Sequence, residues 1–327
     1  MVSAQYANEH WSEFVIRPLQ NYSLHPASLV LHYSQTIFEG MKAYRHADNR
    51  IALFRPFLNA HRLNLSASRM AIPPIDESAF VVALQQFVDL EREHIPARPG
   101  ALYLRPAIFA SESAIGVRTS KQYELMIIAM PVEAYFAKSK DSANVFELLV
   151  TDSVVRASPG GTGSVKAGAN YAITLQIIDQ AKKLGCGQVL FLNSGGDRLI
   201  EEAGGMNVFL ARGKQLITPP LSGTILSGVT RDSILKLADS LELLPSEEPV
   251  SLDKLIEELE RGSITEIFLC GTAAAIVSVN SLRLEDGRSI RVGDPACTPV
   301  ADRLSDQLLG IQYGVYPDSH AWLTFVP

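Results

Sequence analysis

A chain of 327 residues with 47% hydrophobic and 20% charged side chains has the makeup of a globular protein, with enough apolar content for one large core or two medium ones, so disorder and fibrous architectures are set aside. A net charge of -6 without any basic run argues against nucleic acid as a partner, because phosphate backbones are gripped by clustered Lys and Arg. Cys186, Cys270 and Cys297 lie too far apart for metal-ligand spacing or a disulfide framework, no apolar stretch approaches a membrane span, and the first ten residues lack a basic start and an apolar run, so a cytoplasmic setting is expected.

In chain order, Ile51-Phe54 and Glu124-Met130 read as extended segments around two amphipathic helices. The first spans about 56–70, with Pro56 pre-set for a helix start and Leu58, Leu63 and Leu65 as a rough apolar side. The second spans 77–94, with Asp76 as N-cap and Phe80, Leu84, Phe87 and Leu90 as its stripe. The polar run 137–144 is expected as a linker, which gives a smaller domain at 1–136 and a larger one at 145–327. Past it come strand-like Val145-Val150, a glycine-rich loop, a helix at 171–184 stopped by Gly185, and strand-like Gln188-Asn193. A hairpin follows, 206–211 and 215–218 joined through Gly213, then helices near 231–243, 252–261 and 300–309 with an extended 266–270. This alternation fits two mixed α+β domains better than a repeated βαβ unit.

The loop Pro159-Gly-Gly-Thr-Gly-Ser-Val-Lys-Ala-Gly-Ala-Asn-Tyr171 fails both common phosphate-loop patterns. A nucleotide-hydrolysing loop needs glycine before the lysine and Ser or Thr after it, where Val165 and Ala167 stand, and a dinucleotide fingerprint needs glycine in place of Lys166. Small neighbours leave room for a ring beside Lys166, and an amine partly withdrawn from water is a better nucleophile and proton carrier. Taken alone, a solvated lysine on a surface turn explains the segment equally well.

Seven blocks in one order decide between these readings. PGGTGSVKAGANY, HYSQTIFEGMKAYR at 32–45, FRPFLNAHR at 54–62, LYLRP at 102–106, IEEAGGMNVF at 200–209, TPPLSGTILSGVTRD at 218–232 and CGTAAA at 270–275 resemble the branched-chain amino acid aminotransferases. These are class IV aminotransferases with the two-domain, D-amino-acid-aminotransferase-like fold of pyridoxal phosphate enzymes, fold type IV. The resemblance implies pyridoxal 5'-phosphate as cofactor, reversible ping-pong transfer from L-leucine, L-isoleucine or L-valine to 2-oxoglutarate, and a homodimer. It assigns the cofactor aldehyde to Lys166, the ring nitrogen to Glu202 and the ring hydroxyl to Tyr171. The phosphate falls to Arg62, Val229, Thr230 and Thr272. The substrate falls to Tyr103, Arg105, Thr272 and Ala273, with Phe38, Tyr33 and Tyr135 lining its side-chain pocket. Because neighbouring strand residues face opposite ways, Glu201 is expected to be a solvated charge, and Arg55 and Arg69 are expected at the surface. The Cys-x-x-Cys that mammalian relatives carry after the Gly-Thr-Ala turn is replaced here by Ala274-Ala-Ile-Val, so no thiol switch is expected. D-amino acid aminotransferases and aminodeoxychorismate lyases share the lysine and fold, and a nucleotide-binding module is the reading from another class.

Overall fold

The computed structural model describes residues 1–133, 146–294 and 296–327; the expected linker 137–144 and Tyr135 lie outside the described residues. The chain forms two compact units. The first comprises Met1–Tyr135, Val165–Ala169 and Gly310–Pro327, and the second comprises Phe136–Ser164 and Asn170–Leu309. An uninterrupted second domain over 145–327 was expected from the sequence, and two long-range pairings make the difference. Lys166 C=O accepts from Phe38 N–H at 3.1 Å, Gly168 N–H donates to Thr36 C=O at 3.1 Å, and Ile37 bridges Ala167, so the lysine segment is tied to the first unit. Leu323–Phe325 pairs antiparallel with Ile51–Phe54, which brings the C-terminus there as well.

The first unit is built on a nine-stranded antiparallel sheet. Its path runs Leu323–Phe325, Ile51–Phe54, Met41–Arg45, Ala101–Ala110, Tyr123–Val132, Val2–Ala7 and His10–Trp11. Alternation in the long strand Ala101–Ala110 sends Leu102 and Leu104 into the core and leaves Tyr103 and Arg105 together on the opposite face. Helices Pro56–Arg69 and Glu77–Leu90 bury Ala60, Leu63, Ala67, Phe80, Leu84 and Phe87 against those leucines. Each fully buried Leu or Phe among them contributes about 1.5–3 kcal/mol. Asp76 caps the second helix by accepting from Ala79 N–H at 2.7 Å. The expected stripe of the first helix shifts: Leu65 is exposed, and small alanines at helical spacing take the buried side because the helix packs closely there. Leu90, at the end of the second helix, is exposed too.

The second unit carries a ten-stranded mixed sheet. Its path runs Leu244–Glu247, Gln215–Thr218, Met206–Arg212, Ile200–Ala203, Gln188–Leu192, Glu147–Thr151, Ser281–Arg283 and Ser289–Arg291, and Glu266–Gly271 joins Met206–Arg212 to Ala275–Val279. The hairpin through Gly213 forms, with that glycine at φ +59°. The helix expected at 171–184 is split into Ala169–Ala172 and Leu175–Lys183, because Thr174 turns its N–H and hydroxyl onto the Tyr171 carbonyl. The helix expected at 231–243 starts earlier, at Val229, with Gly228 as N-cap, so Val229 and Thr230 form its first turn.

Candidate active site

Within the first unit, one cluster surrounds Lys166. Its backbone is held on both sides, by the Phe38 N–H and by its own N–H donating to the Ser66 hydroxyl at 3.0 Å. The half-buried side chain puts Nζ 4.8 Å from the centre of the Phe38 ring, and the Arg105 guanidinium lies 4.8 Å from the same ring. Both contacts are cation–π interactions, favourable where water is partly excluded. Arg105 donates to the Tyr103 hydroxyl from Nε at 3.2 Å and from an amino group at 2.8 Å, so strand pairing and side-chain bonding fix the two together. Gly40 permits this, since a Cβ there would lie 2.3 Å from the Tyr103 hydroxyl oxygen. Four expected site residues, Lys166, Phe38, Tyr103 and Arg105, therefore meet.

Beside them lies a buried ion pair that the sequence reading did not include. Arg62 donates from Nε to Glu39 Oε1 at 2.7 Å and from an amino group to Oε2 at 2.8 Å, while Asn59 donates to Oε2 at 2.8 Å. Glu39 is fully buried, and burial alone would raise its pKa. Arg62, with help from Lys166 and Asn59, overcomes that and holds the carboxyl below its ordinary value. Tyr33 sits at the end of the short helix Leu29–Tyr33, 37% exposed, its hydroxyl accepting from Gly116 N–H. Of the arginines expected at the surface, Arg69 is exposed, whereas Arg55 is half-buried over the Trp322 ring at 4.9 Å.

The second unit holds a separate cluster at Glu202. Glu202 pairs across the sheet with Asn207, and Asn207 with Cys270, so the three share one face of adjacent strands. Glu202 Oε1 accepts from Leu226 N–H and, at 3.4 Å, from the Asn207 amide, while Oε2 lies 3.4 Å from Arg156. Arg156 in turn donates to the carbonyls of Gly163 and Thr224. Such a set stabilises the ionised form of a carboxylate that is 2% exposed. Asn207 also donates to Leu226 C=O at 3.0 Å, and a Cβ on Gly228 would fall 2.0 Å from its amide oxygen. The N-terminus of the helix Val229–Ala238 is thereby packed against the same face, and its glycine cap supplies no side-chain acceptor. Gly205 abuts Tyr171, where a Cβ would stand 3.4 Å from the ring, and the Gly271 end of the turn carrying Thr272 and Ala273 lies next to Gly205. Thr272 is half-buried and Ala273 exposed in that turn.

One expectation is overturned: Glu201 is not a solvated charge but 4% exposed. Its Oε1 accepts from the Thr224 hydroxyl, and burial raises its pKa against the opposing effects of that bond and of Arg156. Strand alternation was correctly applied to direction, but both sides of Ile200–Ala203 are covered, so leaving one face of this strand does not mean reaching water.

With the geometry of both clusters in place, residues 36–282 match the family described as amino-transferase class IV. The chain belongs to the class IV aminotransferases. It is 42% identical to the branched-chain-amino-acid aminotransferase of Mycolicibacterium smegmatis, over 99% of this chain and 89% of that protein. The probable branched-chain-amino-acid aminotransferase of Staphylococcus aureus (strain N315) is 41% identical, over 100% of this chain and 91% of that one. Among solved structures, the Escherichia coli branched-chain amino acid aminotransferase has a TM-score of 0.77 at 27% identity, covering 99% of each chain. The branched-chain amino acid aminotransferase of Thermobaculum terrenum, solved in its PLP-bound holo-form, has the same fold, with a TM-score of 0.77 at 23% identity over 99% of this chain and 98% of that one.

For this aminotransferase, three residues outside the sequence-based set matter: Glu39, Arg156 and Asn207. Glu39 had a signal, being a carboxylate between apolar Ile37 and Met41 inside a quoted block. Arg156 had none, because its partners Glu202 and Thr224 lie 46 and 68 positions away. Asn207 sat in the block IEEAGGMNVF, yet only cross-strand register sets it beside Glu202.

Proposed function

We propose that this enzyme is a branched-chain amino acid aminotransferase that uses pyridoxal 5'-phosphate to move the amino group of L-leucine, L-isoleucine or L-valine reversibly to 2-oxoglutarate, acting as a homodimer in the cytoplasm. The observation that carries the reading is the half-buried Lys166 amine, its backbone anchored on both sides and its Nζ set over Phe38, in a chain 42% identical to a branched-chain-amino-acid aminotransferase.

Bound covalently at Lys166, pyridoxal phosphate would supply an electron sink for the substrate's alpha carbon. The residues present suit that group. Arg62, Thr230, Thr272 and the first-turn N–H groups of Val229 and Thr230 are donors suited to a phosphate, and the N-cap of that helix is a glycine, which has no side-chain oxygen of its own. Glu202, hydrogen-bonded by Asn207 and the Leu226 N–H and paired with Arg156, is the acidic side chain that a protonated ring nitrogen requires. Tyr171 offers a hydroxyl to the ring oxygen, and Gly205 beside it leaves space where a larger residue would crowd.

The Lys166 amine would take the proton from the substrate's alpha carbon and return it to the carbon on the far side of the transferred nitrogen, the role of a general base and acid. Thr272 and Ala273 would hold the alpha-carboxylate. Phe38 and Tyr103 provide aromatic wall for an aliphatic side chain, with Tyr33 as further lining. Arg105, oriented by Tyr103, provides the cation that a glutamate side chain needs to avoid an unpaired buried carboxylate. The purified enzyme is expected to absorb visible light, change spectrum with L-leucine, and keep the cofactor's mass on the Lys166 peptide after borohydride. Lys166→Ala should abolish both that labelling and transamination. A faster reaction of D-alanine than of L-leucine with 2-oxoglutarate would overturn the substrate assignment.

A further inference from the structure

The face of Ile200–Ala203 turned away from Glu202 borders a cavity of about 150 Å³ within the second unit. Pro159, Pro219, Pro249, Ile200 and Ile225 form an apolar wall, and Glu201 is the carboxylate among them. Glu201 is 4% exposed, and while its Oε1 takes the Thr224 hydroxyl, its Oε2 is buried with no hydrogen-bond partner. A desolvated carboxylate oxygen left without a donor is costly, and that cost is recovered by whatever supplies the donor. Polar side chains on the same wall are engaged elsewhere, Asn193 with Asp197 and Ser222 with Thr224, and none donates to that oxygen, which leaves the donor to a ligand.

We propose that this cavity is a binding site for a small alkylammonium cation, with one N–H directed at Glu201 and a compact aliphatic body against the proline and isoleucine walls. Its chemistry excludes other classes. An anion would meet the carboxylate. A divalent metal ion needs several oxygen ligands, and no group of three or more acidic, His or Cys residues able to hold a metal occurs among the described residues. A neutral alcohol of the same shape can donate to Glu201 but brings no charge to compensate its own. The same wall reaches the other carboxylate: Thr224 binds Glu201 through its hydroxyl and Arg156 through its carbonyl, and two residues on, Leu226 N–H binds Glu202. Occupancy therefore also shifts the absorption of a cofactor facing Glu202, a readout that rests on the proposed function, whereas binding itself does not.

The test is calorimetric titration of the cofactor-loaded enzyme with trimethylammonium chloride, a tertiary amine that cannot condense with an aldehyde, against tert-butanol as the neutral probe of similar shape. Saturable one-to-one binding at least tenfold tighter for the cation is expected. Glu201→Gln should weaken it at least tenfold, and so should Ser194→Trp, which plugs the cavity from its exposed rim. Equal binding of the two probes, no saturation, or unchanged affinity in a folded Glu201→Gln protein would overturn the site. If Glu201→Gln does not fold, Ser194→Trp decides, since unchanged affinity with the rim blocked overturns it equally. Cation binding in an enzyme that prefers D-alanine would leave this site standing and remove the branched-chain assignment; the reverse result would do the opposite.

Discussion

Replacing Glu39 with glutamine tests the buried pair beside Lys166. Glu39 is fully buried and Arg62 is 7% exposed, and they share two hydrogen bonds of 2.7 and 2.8 Å, so neither charge has water to fall back on. Removing one partner of such a pair costs about 3–5 kcal/mol, because the other charge is left uncompensated. Glutamine keeps the shape and one acceptor, which places Glu39→Gln near the lower figure, about 3 kcal/mol. Adding Arg62→Met removes the stranded charge, so the double variant should be less damaged than the sum of the singles, with a coupling of roughly 2 kcal/mol. Denaturant unfolding of the cofactor-free protein measures all three, because Arg62→Met would also alter the stabilisation that bound cofactor adds. The pH dependence has a fixed sign: the folded-state pKa of Glu39 is lowered, so its stabilisation is fully present above the ordinary value of 4.5 and is lost as pH falls through the lowered one. The deficit of the variant should therefore stay constant from neutral pH down to about 5 and shrink only in stronger acid. A loss under about 1 kcal/mol, or a deficit that vanishes by about pH 6, would refute the assignment of a charged, mutually compensated pair.

Gly40→Ala puts a methyl group 2.3 Å from the Tyr103 hydroxyl oxygen and must displace the tyrosine and the Arg105 it orients. KM for 2-oxoglutarate should rise about tenfold or more, the worth of roughly one charge-assisted hydrogen bond, with a smaller change for L-leucine; equal changes would count against Arg105 as the distal-carboxylate residue. Gly228→Ala drives a methyl group to 2.0 Å from the Asn207 amide oxygen, so the first turn of Val229–Ala238 must move, and cofactor titration should show at least about tenfold weaker binding. Unchanged cofactor affinity would separate that helix end from the phosphate. Among the thiols, Cys297 is exposed, whereas burial pushes Cys186 up to about 11 and Cys270 higher still. A disulfide reagent at neutral pH should titrate one fast thiol per native chain, and three fast thiols would contradict the packing around the other two.

Part of this protein is written locally. The helices Pro56–Arg69 and Glu77–Leu90 and the hairpin through Gly213 follow from signals a few residues apart: a proline start, an aspartate cap, a glycine at positive φ. The seven ordered blocks mark Lys166, and strand alternation alone pairs Tyr103 with Arg105. Where the helix after Tyr171 breaks, and that Val229 begins the next one, depended on side-chain bonds and packing that periodicity does not encode.

What only the tertiary structure decided is which charges are buried and by what they are compensated. Glu39 and Arg62 are 23 positions apart, Arg156 and Glu202 are 46 apart, and Val165–Ala169 pairs with residues more than 120 positions earlier. Glu201 looked like a solvated partner to Glu202 because the pleat dictates only opposite directions, and the fold then covered both of them. Chain-local preferences set the direction in which a side chain leaves the backbone. Whether it meets water, a counter-charge or an apolar wall is set by segments that arrive from elsewhere in the sequence, and for an ionisable group that environment fixes its charge and hence its chemistry.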